Sequence, residues 1–165
     1  MDVLELIKTR RSIREFLGNP VEKEKLEKIL EAGRWAPSGL NNQPWKFKVV
    51  TENETKNKLA ECTKYGHIIK NAPVSIVVFL NNNEGYDRTK DVQAIGACIQ
   101  NMLLEIHALG LGGVWLGEII NQHEKAEKVL EVPKNIELMA VISLGYYSNK
   151  KIKSNRKELD ELMMR

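Results

Sequence analysis

The longest run of helical periodicity, residues 91–109, limits what this chain can fold into. Its main apolar stripe repeats at alternating steps of three and four, and further apolar side chains lie on other sides. The stripe contains Val92, Ile95, Ile99, Met102, Ile106 and Leu109, and the additional apolar residues are Ala94, Ala97, Cys98, Leu103 and Leu104. A helix that is apolar on several faces is either buried in a core or shared with another subunit. Because a chain of 165 residues has little room to bury every side of it, we expect this helix to lie at a homodimer interface.

Shorter patterns on both sides of this helix predict an alternation of helices and strands. Asp2 and Glu5 form a capping pair for a first helix, which would turn Leu4 and Ile7 inward. Gly110 is expected to end the long helix. The other predicted helices cover residues 20–32, 54–64 and 122–130, and the predicted strands cover residues 45–50, 74–80 and 137–144. Because no repeat or linker divides the chain, residues 1–165 are expected to form a single domain of the α+β or mixed α/β class.

Composition excludes several classes of protein. The chain has 25 Lys and Arg against 22 Asp and Glu, and a net charge of +3 is too mild to indicate a nucleic-acid partner. The longest apolar runs, such as residues 76–80, are too short to cross a membrane. The acidic, amphipathic start does not read as a secretory signal, so a cytoplasmic location is expected. The two cysteines and three histidines lack the spacing of metal ligands, and no metal site is expected.

Two short segments concentrate positive charge. Residues 10–14 read Arg-Arg-Ser-Ile-Arg, and residues 150–157, near the C-terminus, are again cationic and contain no acidic residue. Arginine presents a planar fork of donors that fits a phosphate group. For either segment alone, however, a solvated charged face is the ordinary explanation.

Two other segments are rich in proline or glycine, which determine the conformations that the backbone can adopt. Residues 35–45 read Trp-Ala-Pro-Ser-Gly-Leu-Asn-Asn-Gln-Pro-Trp, and the two prolines and the glycine prevent a regular helix or central strand. The three consecutive amides at 41–43 are groups of the kind that recognise the edge of a flat heteroaromatic ring. The alternative is a rigid loop whose amides satisfy its own backbone. Residues 109–117 are rich in glycine and join the long helix to a short strand.

Taken in this order, the four segments resemble the nitroreductase family of FMN-dependent oxidoreductases, and the resemblance runs from Leu4 to about Arg156. The chain is similar to a compact member of the family, because it has no room for the long helical insertion that supplies substrate-facing aromatic residues in larger relatives. We take Tyr86 as a candidate substitute. The resemblance implies an α+β fold with a mixed, mostly antiparallel sheet flanked by helices, in an intertwined homodimer. It also implies that residues 150–165 form a C-terminal arm that reaches the partner.

The resemblance further implies FMN as cofactor and NADH or NADPH as electron donor. Arg10 and Ser12 would contact the phosphate or ribityl chain, with Arg14 near the pyrimidine edge of the ring. The loop at residues 37–41 would come from the other subunit, and the backbone amides of residues 116 and 117 would point at N5 and O4. The full set of implied cofactor-binding residues is Arg10, Arg11, Ser12, Arg14, Pro37, Ser38, Gly39, Asn41, Leu116, Gly117, Lys153 and Arg156.

The function implied by the resemblance is ping-pong hydride transfer from NAD(P)H, through flavin N5, to a small electron-poor acceptor such as a nitroaromatic or a quinone. No catalytic side chain is expected, because the flavin carries the chemistry and the protein supplies orientation and electrostatics. Two alternatives stay open. One is a flavin-binding or redox-sensing module with little turnover, and the other is a specialised branch of the family, such as a dehalogenase or a flavin-cleaving enzyme.

Overall fold

The computed structural model describes residues 2–148 and 152–164. In these ranges it contains seven α-helices and four strands. The helices are α1 (Val3–Thr9), α2 (Lys23–Arg34), α3 (Asn53–Ala60), α4 (Gly66–Asn71), α5 (Arg88–Ala108), α6 (His123–Leu130) and α7 (Leu159–Leu162). The strands are β1 (Trp45–Val50), β2 (Val74–Asn81), β3 (Gly112–Leu116) and β4 (Ile136–Gly145). Two 3-10 turns cover Gly39–Asn41 and Glu118–Gln122.

The four strands form one antiparallel sheet in the order β1-β2-β4-β3. The fully buried β2 lies inside the sheet, and β1 alternates between buried and exposed side chains as its sequence predicted. Beside the outer edge of β3, Ser12 forms an isolated parallel bridge with Gly113, which makes the arrangement mixed. This architecture confirms the predicted α+β fold with a mostly antiparallel sheet flanked by helices.

Helices cover both faces of the sheet. Helix α5 packs on one face together with α2, and their apolar residues form one core with the side chains that β2 and β4 turn toward them. Helices α3, α4 and α6 cover the opposite face and form a second core. The sheet therefore separates two apolar layers, and β3 lies at the edge where both layers end.

Helix α5 confirms the predicted long apolar helix, although it begins three residues earlier than Asp91, at Arg88. The side chain of Asp87 accepts a hydrogen bond from the Lys90 backbone N–H and caps the helix, which explains the earlier start. At its other end Gly110 adopts a φ of +74°, a conformation that favours glycine. Seven apolar residues of α5 are buried within one chain, whereas Val92 is 38% exposed.

Two predicted helix boundaries are wrong. The helix predicted from Pro20 begins at Lys23, because the chain stays extended through Glu22. The helix predicted over residues 54–64 ends at Ala60, and a separate helix, α4, follows. Between them the Glu118 carboxylate accepts hydrogen bonds from the Thr63 hydroxyl at 2.6 Å and the Lys64 backbone N–H at 3.0 Å. These bonds hold the chain in a turn, so the helix does not continue.

The inward orientation predicted for the apolar residues of α1 is also wrong for a single chain. Val3 is 69% exposed, Leu4 54% and Ile7 45%, because only α5 contacts this short helix substantially. Asp2 makes no capping bond through its side chain. Helix α7 likewise exposes Leu159 and Leu162. Among the described residues, no helix is long and apolar enough to span a membrane.

Candidate functional site

The cationic segment of residues 10–14 runs along the free edge of β3. The Ile13 backbone N–H donates to the Gly113 carbonyl at 3.0 Å. Gly112 permits this close approach, since a Cβ atom there would lie 2.7 Å from Ile13 Cβ. Ile13 itself is buried and anchors the segment. An extended backbone rises about 3.3 Å per residue, so a segment of five residues can place polar side chains at both ends of β3.

At the N-terminal end of this segment, cations from distant parts of the chain come together. Arg10, Arg11 and Lys153 line a cavity of about 590 Å³, and none of its described lining residues is Asp or Glu. Burial, then Arg156 and then Arg11 lower the pKa of Arg10. Partly buried like charges repel one another, and an anion in their midst relieves that repulsion. Arg10, Arg11 and Lys153 therefore lie around one cavity, and Arg156 lines a neighbouring cavity with the two arginines. That these residues bind a phosphate stays a prediction.

Arg11 has a more specific part in this cluster than the sequence indicated. Its Nε donates to the Ile152 carbonyl at 3.0 Å, and its NH1 donates to the carbonyls of Lys8 and Arg10. The guanidinium thus ties the C-terminal segment to the cationic segment and holds Lys153 beside the cavity. Of the predicted C-terminal arm, residues 150, 151 and 165 lie outside the described residues.

The other end of the segment meets the end of β3. Arg14 lines a second cavity, of about 210 Å³, together with Leu116, Gly117 and Glu118. Tyr65 and Trp115 lie in the same lining, and Trp115 is 42% exposed. The two aromatic side chains offer flat apolar surface beside the backbone of residues 116 and 117. Ser12 connects the two ends, lining a cavity of about 250 Å³ with Arg14 and Tyr147.

Within one chain, a separate loop contains Pro37, Ser38, Gly39 and Asn41, and it does not lie at the edge of β3. None of these four residues lines the three cavities described above. The loop is instead folded onto itself, as the Ser38 hydroxyl accepts from the Gln43 backbone N–H at 3.0 Å. This separation fits the implication that the loop serves the site of a second subunit.

His107 lines the cationic cavity, although it was not predicted as a site residue. The Thr9 hydroxyl donates to the Glu5 carbonyl at 2.7 Å, so its oxygen is free to accept from His107 Nε2, 2.9 Å away. Burial, then Arg10 and then Arg11 lower the pKa of His107. The position of His107 in the last turn of α5, three residues before Gly110, was the available signal.

The low pKa of His107 makes the stability of the cofactor-free protein depend on pH. Below about pH 6.5 the unfolded chain protonates this histidine while the folded protein resists protonation. The free energy of unfolding is therefore expected to decrease as the pH falls from about 6.5 to 5. In His107→Gln, chemical denaturation at a series of pH values should show a smaller decrease over this interval. His67→Gln, which changes an exposed histidine, should keep the wild-type slope, and an unchanged slope in His107→Gln would contradict the prediction.

Known proteins resemble this chain over most of its length. The sequence profile of the Nitroreductase family matches residues 7–65 and 60–146. A provisionally named NADH dehydrogenase/NAD(P)H nitroreductase from Methanothermobacter thermautotrophicus is 39% identical over 148 residues, which cover 88% of this chain and 78% of that protein. A provisionally named nitroreductase from Desulfovibrio desulfuricans, crystallised in complex with FMN, is 45% identical with a TM-score of 0.95, covering 100% of this chain and 96% of its own.

A third relative has the same fold and a related name. The FMN-dependent nitroreductase from Clostridium difficile R20291 is 30% identical with a TM-score of 0.85, and the match covers 99% of this chain and 98% of that one. The profile match and the identities extend over nearly the whole chain. This protein therefore belongs to the nitroreductase family of oxidoreductases.

Proposed function

We propose that this protein is an FMN-dependent oxidoreductase that passes hydride from NADH or NADPH to a small electron-poor acceptor. The observation that carries the proposal is the row of polar groups along the edge of β3, from the cationic cavity at Arg10 to the backbone at Gly117. FMN has a phosphate at one end and a flat ring at the other. The FMN complex of the relative from Desulfovibrio desulfuricans supports the same cofactor here.

The residues present fit such a molecule. Arg10, Lys153 and Arg156 would hold the phosphate. Arg10 is partly buried and lines a cavity without a described Asp or Glu, the exposed Lys153 lines the same cavity, and the exposed Arg156 lines a neighbouring cavity with Arg10. Arg11 would orient the C-terminal segment, and Ser12 would contact the polar chain between the two ends. Arg14 would lie at the pyrimidine edge, where a fixed cation favours negative charge on the ring.

At the ring end the protein contributes backbone rather than side chains. The amides of Leu116 and Gly117 would face N5 and O4 of the flavin. Backbone donors are preorganised and do not titrate, so they stabilise developing negative charge without reorganisation. When bound, FMN supplies the hydride-accepting and hydride-donating chemistry. We accordingly assign no catalytic acid or base to this chain.

We also propose that the working unit is a homodimer with its FMN sites at the subunit interface. The apolar residues that α1 and α7 expose would be covered in such an assembly. Pro37, Ser38, Gly39 and Asn41 would then lie along the FMN of the partner, and the part of the C-terminal arm that follows Arg156 would reach across the interface. NAD(P)H and an acceptor, a nitroaromatic or a quinone, would use the same open face in turn, which gives ping-pong kinetics. A cytoplasmic location fits a donor of this kind.

The proposal is tested by titrating the purified protein with FMN and then, without oxygen, with NADPH or NADH. Stoichiometric binding followed by loss of the flavin absorbance at about one equivalent of pyridine nucleotide is the expected result. Addition of a quinone should restore the absorbance, and initial rates at several concentrations of both substrates should give parallel double-reciprocal lines. Binding without loss of absorbance would favour a sensing module instead, and failure to bind FMN would contradict the proposal.

A further inference from the structure

The loop at residues 37–43 is held in a conformation that its own sequence disfavours. Leu40, Asn41 and Gln43 have positive φ angles of 54°, 55° and 47°. Asparagine tolerates this region of backbone space, but leucine and glutamine do not. Leu40 is also 84% exposed, so its side chain gains little packing in return. Such a conformation persists only where surrounding contacts determine it.

Besides the bonds within the loop, a buried carboxylate supplies such a contact from outside it. Asp91, in the first turn of α5, is 3% exposed. One of its oxygens accepts from Asn42 Nδ2 at 2.7 Å. The other accepts from the backbone N–H groups of Tyr86 and Asp87, at 3.0 and 3.2 Å. A single side chain therefore joins the loop at residues 37–43 to the loop that precedes α5.

The amide of Asn42 can make these bonds in one orientation only. Its Nδ2 donates to the Glu84 carbonyl at 2.9 Å as well as to Asp91, so a turned amide would place an oxygen against two acceptors. Its Oδ1 is buried and has no hydrogen-bond partner among the described residues. The Nδ2 group of Asn42 thus binds the loop that precedes α5 through two acceptors, the Glu84 carbonyl and the Asp91 carboxylate.

Tyr86 packs on the same loop from outside. A Cβ atom at Gly39 would come within 2.6 Å of the Tyr86 ring, so the ring lies directly against the glycine. This contact places Tyr86, our candidate for an acceptor-facing aromatic residue, next to the loop that the resemblance assigns to the cofactor. The Tyr86 backbone is in turn bound by Asp91.

We propose that Asp91 is a positioning residue for the cofactor. Through Asn42 and Tyr86 it holds residues 37–41 in the strained shape in which Ser38 and Asn41 contact FMN. Asp91 does not itself touch the cofactor. The inference rests on the proposed function, since it requires that the loop contacts FMN.

The substitution Asp91→Asn tests this with little change of shape. An asparagine at 91 can still accept from Asn42, but its NH2 group would face the backbone donors of Tyr86 and Asp87. We expect the Kd for FMN, measured by quenching of flavin fluorescence, to rise about tenfold because buried donors lose their acceptor. We expect kcat at saturating FMN to stay within about twofold, because the loop regains its shape once the cofactor is bound.

Asp87→Ala is the matched control. It removes the cap of the same helix, where the Asp87 carboxylate accepts from the Lys90 backbone N–H at 3.0 Å, but leaves the bonds to Asn42 in place. It should lower Tm as Asp91→Asn does while keeping the Kd for FMN within about twofold of wild type. Equal Kd values for Asp91→Asn and wild type, or equal weakening in both variants, would overturn the proposal.

A second substitution covers the case in which Asp91→Asn does not fold. Asn42→Ala removes the side-chain donor and leaves Asp91 bound to the backbone of Tyr86 and Asp87. It should also raise the Kd for FMN about tenfold, and wild-type affinity in this variant would refute the role of the link. A wild-type protein that does not bind FMN would contradict the proposed function and not this link, so the two failures are distinguishable.

Discussion

Arg10→Ala is expected to weaken FMN binding about 100-fold, the largest functional effect among single substitutions in this chain. Arg10 lies partly buried at the centre of the cation cluster, next to Arg11 and Arg156. Hydrogen bonds from a guanidinium to a phosphate are charge-assisted and about twice as strong as neutral ones. Affinity is measured by fluorescence titration at several salt concentrations, and the variant should lose part of the salt dependence that wild type shows.

The cofactor-free form of Arg10→Ala should behave in the opposite way. Burial and two neighbouring cations lower the pKa of Arg10, so its charge is unfavourable in the folded protein when no anion is present. Removing that charge should leave Tm unchanged or raise it slightly. Arg34→Ala is the matched control, because Arg34 pairs with Glu31 on the exposed face of α2. It should bind FMN as wild type does, and equal losses in the two variants would contradict a phosphate role for Arg10.

Gly112→Ala should disturb stability and cofactor binding together. The new Cβ would lie 2.7–2.8 Å from three side-chain atoms of Ile13. Because Ile13 is buried and β-branched, its side chain cannot rotate away from this contact. The segment of residues 10–14 must therefore move away from β3, and the bond from the Ile13 N–H to Gly113 is weakened or lost. We expect a loss of about 2 kcal/mol in the free energy of unfolding, or about 6 °C in Tm.

The same displacement moves Ser12 and Arg14 away from the end of β3, so the Kd for FMN should rise at least about tenfold. Thermal unfolding and FMN titration measure the two effects separately. Gly18→Ala serves as control, since a Cβ at Gly18 would meet no atom within 4 Å. A variant with a normal Tm but weak FMN binding would point to a direct contact of Gly112 with the cofactor, contrary to the packing argument.

Local sequence patterns predicted much of the secondary structure. Alternating side chains predicted the bounds of β1, and a run of β-branched residues predicted the buried β2. Periodicity likewise predicted α5, and Gly110 its end. These features depend on residues that are close together in the sequence, because the period of the apolar residues indicates which face of a helix or strand is buried. Helix α4 was missed since six residues are too few to show a helical period.

Contacts between residues far apart in the sequence depend on how the helices and strands pack. Arg10 and Arg156 are neighbours because α5, β3 and β4 return the chain past its own N-terminal segment, which no local pattern encodes. The positions of His107 in the cationic cavity and of Asp91 beneath the loop have the same origin. The predicted inward orientation of the apolar residues of α1 was wrong for a related reason. An apolar stripe indicates that a face is to be covered, but the surface that covers it depends on how whole elements pack.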